Sequence, residues 1–406
     1  MENNTRATGF ADGTAGMAPD TELTLLAART GIDNEADRRI RELVDATPDW
    51  ATIQVTATRH QVLPLVASTL LGHYRGLLPK ETADTLTQFT RAVAARNMLL
   101  THELLTTLAA FDAADIPAIP YKGPSLAVAA YGSIHLRSFG DLDILVPRDD
   151  YLSAVQTLEN LGYSPARPGK PTRSHYLGHT AAHAFVKGDI HIDLQWGTTM
   201  RKALSVPIEE SLWNTDERVS LLGRPVRAIP PDTLFLYLSA HGARHHWDRL
   251  KWVCDIGELM RTHPGLDWSG ILDEARRSGS LRTVHMATLL SHSLLSSPVP
   301  AWVLDAAGAD TKAVQLTQLV IQQRFVSAAG PEYDRSEHLR FTLDTKERFV
   351  DQLRYMRGFL FQPRLEDYDW VDLPDRASFL YPALRPVRLT ARAVGRRLGL
   401  SSDHDH

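Results

Sequence analysis

The run Asp141-Leu142-Asp143-Ile144-Leu145-Val146, closed by Pro147, constrains this chain more than any other stretch. Apolar, β-branched residues ended by a proline read as one short strand. The period-two geometry of a strand then sets Asp141 and Asp143 on one face, with Cα atoms about 6.5–7 Å apart, and turns Leu142 and Ile144 the other way into a core. The later run Ile190-His191-Ile192-Asp193-Leu194 alternates in the same manner and places Asp193 opposite its own apolar side. Two strands that each carry acid on one face and apolar residues on the other argue for a sheet with one face in a core and the other towards a site.

Ahead of the first strand stands Lys122-Gly123-Pro124-Ser125, after a short apolar, proline-punctuated run over 116–121. That run reads as a strand entering a turn, and residues 125–131 read as the helix that follows. A glycine turn opening a helix offers backbone N–H groups and the positive end of the helix dipole to an anion, a phosphate above all. Paired carboxylates on the next strand suit a hard cation, and Mg²⁺ with substrate phosphates is the usual combination, Mn²⁺ being its substitute. Asp193 supplies a third carboxylate, to complete a two-metal site or to take a proton. Acidic pairs also cap helices and decorate solvated edges, so the signal lies in the ordered set rather than in the D-x-D alone. Lys122 and Arg137 are the nearest cations for phosphate charge; a surface ion pair between Arg137 and Asp141 is the competing reading.

The wider chain sets the frame. At 406 residues it has room for two or three domains. Its net charge of −4 provides no global field to recruit nucleic acid. Cys254, the one cysteine, excludes an internal disulfide framework and a cysteine-rich zinc site, and a reducing cytoplasm is the compartment this suggests. The first 20 residues are polar and small, without the basic start and apolar block of a signal peptide, and no run of 18 apolar residues suggests a membrane span. The expected organisation is a disordered tail over 1–20, a helical region over 21–115 with helices at 35–46 and 82–111, an α/β core over 116–230, a helical domain over 231–330 and a C-terminal extension with a basic tail over 331–406. Within the core a helix is expected over 149–161, stopped by Gly162, and a hairpin over 218–227 around Gly223. After Pro230-Pro231, Asp232 reads as the N-cap of a helix over 233–244, followed by helices over 250–261, 268–278, 282–295 and 311–325.

Several polar clusters need weighing. His241 and His245 lie four apart, on one face of a continuing helix, but zinc would need one or two further ligands. Lining of a cleft between the core and the helical domain is the better reading. Lys251 and Asp255 are also four apart and read as a helix salt bridge. Trp247 and Trp252 read as core, with base stacking as the alternative. His175, His179 and His183 read as loop or surface residues that could approach a substrate. The basic run Arg385, Arg388, Arg392, Arg396 and Arg397 reads as a solvated helix face, with anionic lipid or RNA as the alternative.

Taken together, Lys122-Gly123-Pro124-Ser125-Leu126, Tyr131, Arg137, the strand from Asp141 to Val146, and Leu161-Gly162-Tyr163 resemble the signature of the uncharacterised bacterial nucleotidyltransferase family, within the DNA polymerase β-like nucleotidyltransferase superfamily. A second block, His241-Gly242, His245, Trp247, Arg249-Leu250-Lys251-Trp252 and Asp255, continues the likeness, and Asp367-Tyr368-Asp369-Trp370 with residues 380–388 resembles its C-terminal part. The resemblance spans roughly 22–390 and implies an α+β fold, a small mixed β-sheet nucleotidyltransferase core flanked by helical regions. It implies Asp141, Asp143 and Asp193 as catalytic carboxylates and metal ligands. Lys122, Gly123, Ser125 and Arg137 are then the residues around the nucleotide phosphates, with His241 and Lys251 as further nucleotide contacts. The implied reaction is in-line attack on the α-phosphorus of an NTP by a small-molecule, peptide or protein acceptor, with pyrophosphate leaving. Three departures from the pattern stand out: Pro124 removes an N–H donor from the turn, the gap to Asp141 is long, and Gln195 stands where relatives carry a histidine. Pro124 and Gln195 favour a second expectation, a module that holds a nucleotide, or pairs with another protein as an antitoxin-like partner, without turnover. A hydrolase built on the histidine block is the third.

Overall fold

Acidic caps and prolines punctuate the N-terminal helices. In the computed structural model, which describes residues 16–166, 182–196, 212–326, 335–371 and 373–397, these are α1 (Pro19–Ala27), α2 (Asn34–Asp45), α3 (Trp50–Arg59), α4 (Leu63–His73) and α5 (Lys80–Ala113). The Asp33 carboxylate accepts from Ala36 N at 2.8 Å, and Asp49 accepts from Ala51 N and Thr52 N, satisfying amides that a helix start leaves open. Helix α1 begins inside the expected tail, of which residues 1–15 lie outside the described residues. The long helix α5 changes neighbours along its length. Ala83 and Leu86 pack with the helical core, whereas Leu100, Leu104, Leu105, Leu108 and Phe111 pack under the sheet.

The sheet comprises β1 (Ile119–Pro120), β2 (Asp141–Leu145), β3 (Ser164–Pro165), β4 (Ala182–Lys187) and β5 (Ile190–Gln195), in the order β1-β2-β5-β4-β3. Strands β2 and β5 run parallel, and the remaining pairs are antiparallel. Between β1 and β2 lies α6 (Gly123–Tyr131); after β2 comes α7 (Tyr151–Asn160), which ends before the expected stop at Gly162, where φ is +86°. Leu142, Ile144, Phe185, Ile192 and Leu194 fill the face towards α5 and α7, as period-two alternation requires. The hairpin β6 (Arg218–Leu221) and β7 (Arg224–Arg227) turns at Leu222 and Gly223, both at positive φ.

Helices α8 (Pro231–Arg244), α9 (Leu250–Thr262), α10 (Trp268–Ser278), α11 (Leu281–Leu295), α12 (Ala301–Ala309) and α13 (Thr311–Val320) follow, the last continued by a π turn over Ile321–Val326. They share one apolar core with α1–α4. Polar contacts tie the two regions as well: Arg29 Nη1 donates to Leu295 O, Cys254 Sγ lies 3.3 Å from Ala28 O, and Leu250 N donates to His60 Nδ1. Asp232 does not cap α8. Pro230 holds the cap position, and the Asp232 carboxylate accepts from Asp267 N at the start of α10. No helix among the described residues is long and apolar enough to cross a membrane.

The C-terminal part holds α14 (Arg335–Asp344), α15 (Phe349–Phe361), α16 (Leu365–Trp370) and α17 (Tyr381–Arg397). Here the expected solvated arginine face is corrected at Arg385 and Arg388, while the side chains of Arg396 and Arg397 lie outside what is described. Arg385 and Arg388 are buried and both donate to the Asp367 carboxylate, at 2.9 and 2.5 Å, so this end of the helix is an internal charge cluster.

Candidate active site

The β2–β5 register decides the geometry. Asp143 stands directly opposite Asp193 and Asp141 opposite His191, so the carboxylates expected on one face are neighbours across two parallel strands about 4.8 Å apart. Asp143 is buried, Asp193 half-buried and Asp141 exposed at the rim. Burial pushes the Asp143 carboxyl upward against the pull of Lys122. Asp193 rises to about 6, chiefly through burial and then through the charges of Asp143 and Asp141. Crowded carboxylates of this kind favour a cation.

Three donors meet on one oxygen of Asp143: Lys122 Nζ at 3.1 Å, Gln195 Nε2 at 3.0 Å and Tyr121 Oη at 3.4 Å, all to Oδ1. Burial disfavours the Lys122 charge, but Tyr237 and Asp143 outweigh it and raise its pKa. Its ammonium also lies 5.3 Å from the Tyr121 ring centre and 5.8 Å from that of Tyr237. Gly123 opens α6 at φ +52°, and a Cβ there would meet Asp141 O at 3.2 Å, so glycine is required on both counts. The turn offers fewer amides than expected. Pro124 has none, and Ser125 N already donates to Lys122 O at 3.2 Å. The Ser125 hydroxyl and Gln195 Oε1, by contrast, are buried without a hydrogen-bond partner among the described residues.

Helices α8 and α9 form the opposing wall. Tyr121 packs edge-on to Tyr237, Tyr237 stacks on His241 at 6.0 Å, and His241 and His245 both contact Trp252. Burial and the charge of Lys122 hold His241 well below its usual pKa, and burial with Arg244 lowers His245 to about 4, so both rings are neutral at pH 7. His241 and His245 thus pack with Tyr237 and Trp252 as neutral rings on this wall. No third ligand joins them among the described residues. Lys251, lowered to about 7 by burial and by Arg137, contacts Gln61 Oε1 at 3.3 Å.

Two expectations about ion pairs are corrected. Arg137 is buried rather than on the surface, and its partner is Asp255, not Asp141: Nε and Nη2 reach the two Asp255 oxygens at 2.7 and 3.0 Å. Asp255 accepts from Tyr131 Oη as well, at 2.8 Å, so it forms no helix salt bridge with Lys251. Arg137 thus clamps the segment before β2 onto α9. His183 is likewise no surface residue. It lies on the core face of β4, hydrogen-bonded to Tyr151 and packed on Trp196; His175 and His179 fall outside the described residues. Trp247 is core, fully buried against Gly242. Tyr121 and Tyr237 were missed in the sequence because aromatic residues near glycine turns or in apolar helices look like core, and only the fold brings both to Lys122.

A family model described as uncharacterised nucleotidyltransferase matches residues 46–296. The chain belongs to that family. The match contains the turn, the three carboxylates and the helical wall, while the resemblance beyond residue 296 lies outside it. No curated protein and no solved structure matches the chain. Family membership makes nucleotidyl transfer the chemistry to which the geometry answers.

The donor set can be tested against the divalent ion such chemistry implies. No group of three acidic or histidine side chains among the described residues is a ready-made cage. Mg²⁺ does not need one, because it keeps waters and takes one or two carboxylates with substrate phosphates. Asp143 uses only Oδ1 in the hydrogen bonds described, and the adjacent Asp193 carboxylate has no hydrogen bond among the described residues. This pair, with Asp141 at the rim, fits the ion.

Proposed function

We propose that the protein transfers a nucleoside monophosphate from an NTP to a small-molecule, peptide or protein acceptor, with a requirement for Mg²⁺ or its substitute Mn²⁺. The observation that carries this reading is the pairing of Asp143 with Asp193 across parallel strands, beside Asp141 and a glycine turn. Asp141, Asp143 and Asp193 would hold the ion, which when bound neutralises phosphate charge and aligns the in-line displacement. The chain's own residues do the rest. Gln195 and Tyr121 fix the Asp143 carboxylate through Oδ1. Gly123 N–H, the Ser125 hydroxyl and Lys122 receive phosphate oxygens at the start of α6. His241 and Lys251 face the nucleotide from the helical wall. Asp193 either shares the ion or takes the acceptor's proton as the acceptor oxygen bonds to the α-phosphorus and the bond to the β-phosphate breaks, pyrophosphate leaving with the electron pair.

A second reading, nucleotide binding without turnover, draws on the occupied Oδ1 of Asp143 and the amide-poor turn. Pyrophosphate release separates the two. Wild type incubated with each NTP, Mg²⁺ and pooled acceptors is expected to release pyrophosphate, and Asp143→Asn to lose that turnover. An unchanged rate in Asp143→Asn refutes the proposed site. Binding without release from any acceptor class would favour the second reading.

A further inference from the structure

The mechanism above uses Lys122 as a phosphate contact, yet in this structure its ammonium is engaged elsewhere, on Asp143 Oδ1 at 3.1 Å. The contact is enclosed. The Lys122 side chain is 18% exposed and that of Asp143 2%, with the faces of Tyr121 and Tyr237 nearby. Oδ1 also accepts from Gln195 Nε2, so its lone pairs are filled. Three carboxylates crowd this face of the sheet, and the Lys122 ammonium sits on the most buried of the three. Two cations on one carboxylate repel each other strongly where water is scarce.

We infer that Lys122 is a stand-in cation that competes with the divalent ion for Asp143 and is handed to the triphosphate when ion and nucleotide enter together. The inference rests on the proposed Mg²⁺-dependent reading and deepens it. Without nucleotide, Lys122 holds Asp143, and divalent binding is weak. With nucleotide, the phosphates give Lys122 an alternative partner a short side-chain movement away, at the turn formed by Lys122 and Gly123. Ion and nucleotide then bind with positive coupling, because each removes the obstacle to the other. Gln195 and Tyr121 stay on Oδ1 throughout, keeping the carboxylate oriented as the lysine leaves.

The test is Mn²⁺ binding followed by electron paramagnetic resonance in the full-length protein without nucleotide, for wild type, Lys122→Met and Lys122→Gln. The glutamine variant keeps an N–H donor for Oδ1 and guards against misfolding. Both variants are expected to bind Mn²⁺ about tenfold more tightly than wild type, within the usual range of coupling between sites. Both are also expected to lose the gain in Mn²⁺ affinity that NTP gives wild type. Equal or weaker Mn²⁺ binding in the folded variants overturns the inference. Failure of the underlying reading looks different: wild type would bind NTP equally well with or without divalent ion, and Asp143→Asn would leave that binding unchanged.

Discussion

The clamp between Arg137 and Asp255 makes the sharpest stability prediction. Arg137 is 6% exposed and Asp255 1%, and the carboxylate receives three charge-assisted hydrogen bonds, two from Arg137 and one from Tyr131. In Arg137→Met, Asp255 keeps only the tyrosine and remains buried as a charge. Breaking a buried pair from one side costs about 3–5 kcal/mol, whereas replacing both partners with apolar residues is often close to neutral. Arg137→Met is therefore expected to lower stability by about 3–5 kcal/mol, and Arg137→Met/Asp255→Leu by markedly less than the sum of the single changes. Urea unfolding followed by tryptophan fluorescence measures all four corners of this cycle. The segment held by Arg137 leads into β2, so the single variant is also expected to loosen Asp141 and weaken NTP binding. A loss below about 1 kcal/mol for Arg137→Met, the cost of a solvated pair, would refute the claim that this contact locks the strand to α9.

Three further expectations follow from particular residues. Gly123→Ala places a β-carbon at φ +52° and 3.2 Å from Asp141 O, and the left-handed conformation alone costs about 1–2 kcal/mol, read as a lowered melting temperature with loss of NTP binding. The Asp193 carboxyl is raised from 3.8 to about 6, so the folded state binds more protons than the unfolded state between those values, and metal-free stability falls as pH rises through that window. Asp193→Asn is expected to melt above wild type at pH 7.5 without metal and to lose that advantage below pH 4, with added Mg²⁺ stabilising wild type alone. Asp367→Ala leaves Arg385 and Arg388 buried without their carboxylate, at a cost of about 3–5 kcal/mol, and is expected to expose α17 to limited proteolysis before the rest of the chain.

What the sequence made legible and what it hid divide by distance along the chain. The D-x-D strand, the Asp193 strand and the strained glycine are encoded within a few residues each, by alternation, a terminating proline and the turn, and all three appear where expected. The partner of Arg137 lies 118 residues away, so the nearby Asp141 and the helix-spaced Lys251 looked like the natural ends of those ion pairs. The C-terminal arginines carry helical spacing, which reads as a solvated face until Asp367, on a different helix, is seen to take both Arg385 and Arg388. Asp232 follows a proline pair that already starts the helix, and its carboxylate is free to cap the neighbouring segment instead. The sharing of one core by α1–α4 and α8–α13 has no local signal at all, since nothing within a helix says which other helix its apolar residues will meet.

Calorimetric titration of ATP, GTP, CTP and UTP, with and without Mg²⁺, into wild type and Asp141→Asn/Asp143→Asn tests the central claim most directly. Mg²⁺-dependent binding of at least one NTP by wild type, lost in the double variant, is the expected result. NTP binding that survives in the double variant, or that ignores Mg²⁺, would contradict the assignment of the nucleotide site to the acidic face of β2 and β5.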